Sequence, residues 1–383
     1  MLKITDKIQC SGCTACYAVC PKKAITMQAD NEGFLYPSID QKLCIDCKLC
    51  EKICPINVNQ KEQKESIFCY GGFIKEQKIR TESSSGGIFT AIAQQVLSQN
   101  GVVFGAAFSN DFKSVKHIAI KNIGELDKFR GSKYVQSDVN NTYKKVKEIL
   151  KTGKHVLFSG TPCQVVGLKS YLGKKYSNLI TIDFICHGVP SPLVWRKYTE
   201  EVEHNYKNKI VECSFRNKKF GWKNYSLKLL FENGNYFCQK ASENLYMKGF
   251  LSNLFLRPSC HNCKFKDGEN QSDITVADFW GIENVLPELD IQQGVSLIFI
   301  NTSKGNLLFS SIKDNIFVQE VPFDKAIKFN PAYRFSAKKH KNRNDFFDNL
   351  NKHNVSYLIS KYTRISIAHK IVYLIWRILQ KLK

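Results

Sequence analysis

Eight cysteines near the amino end constrain this chain more than any other feature. Residues 10–21 read CSGCTACYAVCP and residues 44–55 read CIDCKLCEKICP, so the run C-x2-C-x2-C-x3-C-P occurs twice. The spacing has a chemical reason. Three cysteines in one tight loop reach three irons of a cubane, and the fourth, on a departing segment, reaches the other cubane. Cys10, Cys13, Cys16 and Cys54 are therefore expected to hold one 4Fe-4S cluster, and Cys20, Cys44, Cys47 and Cys50 a second. Zinc sites present paired C-x2-C halves with a longer gap between them, which triplets closed by Cys-Pro do not match. The duplication predicts a pseudo-symmetric unit. Between its copies, Gly33-Phe34-Leu35-Tyr36-Pro37 reads as a short hairpin arm. Such clusters relay single electrons and rarely do bond chemistry alone.

The rest of the chain is too large and too apolar to be an appendage. It has 383 residues, 43% of them hydrophobic, with 26 Phe and 16 Tyr, enough to bury a sizeable core. A disulfide framework suits short secreted domains, so the 15 cysteines point to metal ligation in a reducing compartment. No secretory signal opens the sequence, and no apolar run reaches the ~18 to 20 residues that span a bilayer. A cytoplasmic protein is the expectation. The net charge of +22 reads either as a lysine-rich solvated surface or as a basic field for acidic cofactors, an acidic redox partner or a membrane surface. No nucleic-acid reader motif accompanies it, and no nucleic-acid partner is expected.

Residues 1–58 form the first unit, and the polar stretch at 59–66 reads as a linker. In the part that follows, Ser83-Ser84-Ser85-Gly86-Gly87 precedes a helical pattern, IFTAIAQQVL. Small residues there allow either an anion at the helix start or an ordinary cap. Strand and helix patterns then alternate: GVVFGAAF, TYKKVKEILKTG, HVLFSG, TPCQVVGLKSYL, NLITIDFIC and SPLVWRKYTEEVEHNY. That alternation predicts a mixed α/β core, with ligands at the carboxyl ends of its strands. Cys163 and Cys186 fall at such ends, and Cys260-His261-Asn262-Cys263 adds a C-x2-C pair. These four cysteines read as a third cluster, a zinc site or buried thiols, and the spacing leaves all three open. Cys69, Cys213 and Cys238 read as structural thiols. Asn233-Gly234 marks a hairpin turn. Asp278, in a strand that ends ADFWG, reads as a ligand-orienting carboxylate or a turn cap. Residues 67–335 make the main domain and 336–383 a basic amphipathic tail, whose RISIAHKIVYLIWRILQKLK suits either a membrane surface or packing on the domain.

Taken together, SSSGG (83–87), RGSKYVQSD (130–138), SGTPCQ (159–164), DFICHGVPSP (183–192), RPSCHNCKF (257–265) and SDITVADFWG (272–281) resemble the beta-subunit family of coenzyme F420-reducing hydrogenases and F420 dehydrogenases, in a form fused to a two-cluster ferredoxin. The resemblance implies an α+β protein in which a ferredoxin-like module precedes a mixed α/β flavin-binding domain. It implies FAD, contacted by Ser84, Ser85, Gly86, Gly87, Ser132, Lys133 and Tyr134, with Thr161 beside them. Lys133 would stabilise negative charge on the reduced flavin or on the FAD phosphates. Cys163, Cys186, Cys260 and Cys263 would ligate a third 4Fe-4S cluster. The chain is then expected to couple hydride chemistry at FAD to one-electron transfer, with a redox partner protein or second subunit and a hydride-carrying small molecule, F420-like or other. The alternative is an electron-transfer subunit without a substrate of its own, serving a separate reductase, as in surface-polysaccharide synthesis. The carboxyl-terminal helix would give peripheral contact with the inner face of the membrane.

Overall fold

A computed structural model describes residues 6–57, 68–269 and 271–364. The linker expected at 59–66 and the apolar-basic run from 365 onward lie outside the described residues. The first unit holds helix α1 (Ala15–Val19), strands β1 (Ile25–Ala29) and β2 (Leu35–Ile39), and helix α2 (Leu49–Lys52). β1 and β2 pair antiparallel, which is the hairpin arm expected between the cysteine runs.

The larger part runs β3 (Phe68–Ile74), α3 (Gln77–Glu82), α4 (Ile88–Ser98), β4 (Val102–Phe108), β5 (Val115–Ile120), α5 (Thr142–Lys151), β6 (Val156–Ser159), α6 (Pro162–Leu172), β7 (Leu179–Phe184) and α7 (Pro192–Tyr206). It continues through β8 (Ile210–Asn217), β9 (Ser226–Phe231), β10 (Tyr236–Lys240), α8 (Leu245–Leu251), β11 (Ile274–Asp278), β12 (Ser296–Ile300), α9 (Ser303–Ser310), β13 (Ile316–Glu320), α10 (Phe323–Ile327), α11 (Arg343–Asn349) and α12 (Val355–Thr363). Eight strands form the main sheet in the order β13-β3-β12-β11-β7-β6-β4-β5. Its centre, β4-β6-β7-β11, is parallel. β5 on one side and β12, β3 and β13 on the other add antiparallel. The central strands are apolar along almost their whole length because both faces are covered. On one face Ile88, Ile92 and Leu97 of α4 meet Ile180, Ile182 and Ile298. On the other, Tyr143, Val146, Val165 and Leu168 of α5 and α6 meet Val156, Phe158 and Leu179.

The cysteine-rich unit packs on that second face. Ala15 and Ala18 of α1 join the same apolar cluster. The approach is close: a Cβ at Gly167 in α6 would stand 2.9 Å from Cys13 Cβ and 3.0 Å from Tyr143 Oη. The β1–β2 turn is held elsewhere. Ser191 donates to the Glu32 carbonyl, and Arg343 grips the Glu32 carboxylate with both terminal nitrogens.

A third packing centre joins β8–β10 to helices α7, α8, α11 and α12 around Trp195, Phe215 and Tyr246. β9 and β10 form the hairpin expected around Asn233-Gly234. The expected boundary at 335 falls within packed structure. Phe346, Leu350, Val355, Leu358 and Ile359 are buried in this centre, so residues 343–363 belong to the domain rather than to a tail. Among the described residues no helix is long and apolar enough to cross a membrane.

Candidate functional site

The eight amino-terminal cysteines separate into two pockets. Cys10, Cys13, Cys16 and Cys54 line one, and Cys20, Cys44, Cys47 and Cys50 line the other. The structure thus brings together the two sets that the spacing predicts, each repeat lending its last cysteine to its neighbour. The cause is local. Thr14 and Lys48 take left-handed backbone conformations (φ 67° and 57°) just before α1 and α2, which folds the first three cysteines of each run inward. Cys20 then caps α1, and Cys54 follows the cap of α2, so each points back toward the other loop. Burial pushes the Cys16 thiol up to about 12, with Cys10 and Cys54 adding to the effect, and raises Cys13 for the same reasons. Crowded buried thiols ionise only when a cation compensates them, which is what an iron–sulfur core supplies.

The second cysteine set also converges. Cys163 is the second residue of α6, Cys186 lies just beyond β7, and Cys260 and Cys263 flank a single turn at 258–263. All four line one pocket, and Ile8, Ser11 and Ile56 of the cysteine-rich unit supply part of its wall. Burial lifts Cys163 to about 12 and Cys260 to about 11, and Cys186 is raised well above the usual thiol range. Each of the three is raised further by others of the four. Polar contacts surround the set: Val189 N–H donates to Cys260 Sγ (3.4 Å), the Thr161 hydroxyl lies 3.1 Å from Cys163 Sγ, and Lys266 donates to the carbonyls of Cys186 and Ala332. Cys69, Cys213 and Cys238 stand apart. Cys69 is buried against Phe279 and Leu297, Cys213 against the Trp195 centre, and Cys238 donates to Ser226 Oγ.

At the carboxyl ends of β6, β7 and β11 a cleft of about 580 Å³ opens. That is the size of a cofactor or substrate site. Ser84, Ser85, Gly87, Ser132, Lys133, Tyr134 and Thr161 all line it. Their side chains differ in what they leave free. Ser84 Oγ accepts from Ser132 N (2.6 Å) and from Ser132 Oγ (2.9 Å), and Ser85 donates to the Val295 carbonyl. Gly87 takes φ 83° and starts α4 without a side-chain cap. Thr161 receives the Gln164 side chain on its backbone N–H. Tyr134 stacks on Phe250 at 4.6 Å and takes a hydrogen bond from Arg216.

Two expected roles change. Lys133 donates to the Phe129, Arg130 and Gly131 carbonyls at 3.1–3.3 Å, and burial pushes its pKa down to about 8. All three ammonium donors are engaged in closing that loop, so Lys133 would act on a cofactor charge through space rather than by a hydrogen bond. Gly86 does not reach the cleft. Its N–H goes to Ser296 Oγ and its carbonyl accepts from Ile74 N. A Cβ there would lie 2.4 Å from the Gly72 carbonyl oxygen and 2.8 Å from Ser296 N. Gly86→Ala is therefore expected to destabilise the protein by about 1–3 kcal/mol and to loosen the 83–87 loop. A thermal melt of wild type and variant checks it, and an unchanged melt would show that the loop has room to spare.

What sequence reasoning missed is the frame beneath the loop. Arg216, almost fully buried, forms a fork with both Asp278 oxygens (2.8 and 2.9 Å), lies 3.9 Å over the Tyr225 ring, and reaches the Ser84 carbonyl. Trp222 Nε1 donates to Asp278 as well. Asp278 thus anchors a cation rather than capping a turn. Lys218 donates to the carbonyls of Arg80, Ser85 and Gln293. Nothing near Arg216 or Lys218 in the sequence marks them, because their side-chain hydrogen-bond partners lie 60 or more residues away. Four buried polar atoms of residues in the cleft wall lack partners among the described residues: the donors Arg216 Nε, Arg130 Nε and Asn330 Nδ2, and His117 Nδ1. His117 Nε2 faces the Ser159 carbonyl, and burial lowers its pKa to about 4, so near neutral pH Nδ1 is an acceptor. An unspent donor and acceptor, beside the rings of Tyr134, Tyr225, Trp280 and Phe250, suit a flat heteroaromatic ligand with polar edges.

Comparison with known proteins finds matches for both parts of the chain. Residues 9–58 match the 4Fe-4S dicluster domain, residues 69–144 the amino-terminal part of the coenzyme F420 hydrogenase/dehydrogenase beta subunit, and residues 153–326 its carboxyl-terminal part. A subunit of the F(420)H(2) dehydrogenase of Methanosarcina mazei is 22% identical over 335 residues, 84% of this chain and 88% of that protein. An uncharacterized ferredoxin of Methanocaldococcus jannaschii is 41% identical over 54 residues, 14% of this chain and 69% of its own length. Among solved structures, a chain from the F420-reducing [NiFe] hydrogenase complex of Methanosarcina barkeri overlays with a TM-score of 0.45 at 16% identity, covering 79% of this chain and 93% of that one. With its amino-terminal dicluster domain joined to both halves of the beta-subunit sequence, this chain belongs to the coenzyme F420 hydrogenase/dehydrogenase beta-subunit family of iron–sulfur electron-transfer oxidoreductases.

Proposed function

We propose that this protein is an iron–sulfur flavoprotein: FAD in the cleft, a third 4Fe-4S cluster on Cys163, Cys186, Cys260 and Cys263, and the two module clusters beyond it. One observation carries the reading. The sites share walls in series. The segment 184–189, with Cys186 in it, borders both the cleft and the four-cysteine pocket, and Ser11 and Ile56 border both that pocket and the Cys10/13/16/54 pocket. A bound flavin exchanges two electrons as a hydride while cubanes carry one at a time, so the series joins two-electron to one-electron chemistry.

The residues divide the labour. The open amino end of α4, with Ser84 and Ser132, offers backbone and hydroxyl donors to a pyrophosphate. Arg216 Nε and His117 Nδ1 would meet polar edges of the ring system, and Tyr134 and Trp280 its faces. For the inner cysteines, no three His, Cys, Asp or Glu side chains among the described residues converge on the position of a single ion. A cubane spreads its ligands over four irons, which favours a cluster over zinc there. At the far end Cys47 is exposed beside Ile45 (58%) and Leu43 (51%), a place for a redox partner or second subunit to exchange electrons with the outer cluster.

Anaerobic reconstitution is expected to give flavin absorbance and about twelve irons per chain. Cys163→Ser should lose about four of those irons and keep the flavin. A screen of hydride donors, reduced F420 among them, would name the substrate. Protein that loads iron but no flavin would reduce the reading to a relay serving another enzyme.

A further inference from the structure

Arg257 lies between two cysteine sets and meets no carboxylate among the described residues. It is fully buried, immediately before the Pro258–Asn262 turn that carries Cys260. Its guanidinium reaches away from that turn into the cysteine-rich unit. Nε donates to the Cys10 carbonyl (2.8 Å), Nη2 to the Leu35 carbonyl (2.9 Å), and Nη1 to Gln136 Oε1 (3.0 Å). Nη2 also stands 3.7 Å from Cys10 Sγ. The Tyr36 ring lies 4.3 Å below the guanidinium, and Gln136 passes the connection on to the Ser11 carbonyl. Every acceptor is neutral, and among the described residues no carboxylate pairs with Arg257. A buried cation without a counter-charge is strongly unfavourable unless an anion lies close by. Thiolate-ligated cubanes carry net negative charge, and the nearest candidates are the Cys10/13/16/54 site, which Arg257 touches, and the Cys163/186/260/263 site, whose loop it begins.

We infer that Arg257 is the electrostatic joint between these two cluster sites, docking the module at Cys10 and raising the reduction potential of the cluster held there. The sign follows from charge. Reduction adds an electron and makes a cluster more negative, so a fixed cation and an N–H···S contact favour the reduced form. One electron passes between the inner site and the Cys10 cluster; no bond changes, and Arg257 keeps its proton. The docking and tuning of the Cys10 cluster rest on the dicluster domain alone, and only that exchange rests on the proposed inner cluster.

The test is a dithionite redox titration of the full-length reconstituted protein, followed by EPR, with iron counted in each sample. Growth with 15N-arginine marks the relevant signal, because a nitrogen 3.7 Å from a ligand sulfur gives a 15N coupling in pulsed EPR. Arg257→Gln should move that cluster's equilibrium about tenfold toward the oxidised form, about 59 mV downward for one electron. Arg257→Lys, which keeps the charge, should stay near wild type. An unchanged potential in Arg257→Gln at full iron loading overturns the inference, and so does an equal fall in both variants, which would make Arg257 a structural clamp only. If Arg257→Gln does not hold its clusters, wild type decides: absence of the 15N coupling overturns the inference. Wild type that loads only about eight irons would remove the inner cluster while leaving the potential shift at Cys10 measurable.

Discussion

Asp278→Ala is expected to cost about 3 to 5 kcal/mol, because it strands a charge. The Arg216 side chain is 3% exposed, and its fork with Asp278 is the only ion pair it makes among the described residues. Loss of the carboxylate also removes the acceptor of Trp222 Nε1. The damage should reach the cleft, since the same guanidinium steadies the Ser84 carbonyl and the Tyr134 hydroxyl. Retention of the proposed FAD should fall together with the denaturation midpoint. Replacing both partners, Arg216→Met with Asp278→Leu, removes the stranded charge and should recover most of the stability, because paired buried ions exchange for apolar side chains at little cost. The double variant should still fail to retain FAD. Denaturant melts and flavin-to-protein ratios on the three proteins check both halves. A single variant as stable as wild type would mean that water reaches Arg216 and that the frame is not what shapes the cleft.

Arg343→Leu should release the module rather than unfold the domain. Arg343 is 4% and Glu32 15% exposed, and the guanidinium also gives two hydrogen bonds to the Leu256 carbonyl. Removing it leaves the Glu32 carboxylate and that carbonyl without their donors, a loss of about 3 to 5 kcal/mol concentrated at the docking surface. Amide exchange across 25–39 should rise. The outer clusters should survive, since all eight of their cysteines belong to the module. The inner pocket should not, since Ile8, Ser11 and Ile56 form part of its wall. The expected iron content is therefore about eight per chain against about twelve in wild type. Equal iron content together with unchanged exchange would show that the α1 contact with α6, Ser191 and Arg257 hold the module in place without Arg343.

The two predictions rest on residues of different legibility. The module cysteines could be sorted into their sets in advance because cubane geometry is written into short spacings, and a loop of three followed by a departing fourth allows one exchange pattern. The parallel strands were legible for a similar reason: runs buried on both faces are apolar throughout, as in HVLFSG and LITIDF. The antiparallel additions carry no such mark. β3 pairs with both β12 and β13, more than 200 residues further along, and reads from its sequence as an ordinary strand. Residues 343–363 read as part of a tail because no motif sets them apart from the basic run that follows. They are buried because α7 and α8 leave a surface for them to cover.

The cleft shows the same division. Small residues at 83–87 left open an anion or an ordinary cap at a helix start, but whether Gly86 faces a ligand or the sheet depends on Gly72 and Ser296, which only folding brings near. Lys133 looked available for chemistry because a sequence shows a charge and not its acceptors. Arg216 and Lys218 carried no motif, and Arg257, inside RPSCHNCKF, stood out less than the cysteines beside it, yet the three hold the loop, the cleft wall and the module. Local spacing was enough to specify which sulfurs share a cubane, since the ligands of each loop lie within one turn of one another. The series of sites, and the cations between them, arose from contacts such as that of Arg257 with Cys10, 247 residues apart, where burial and not sequence proximity sets the strength of a charge.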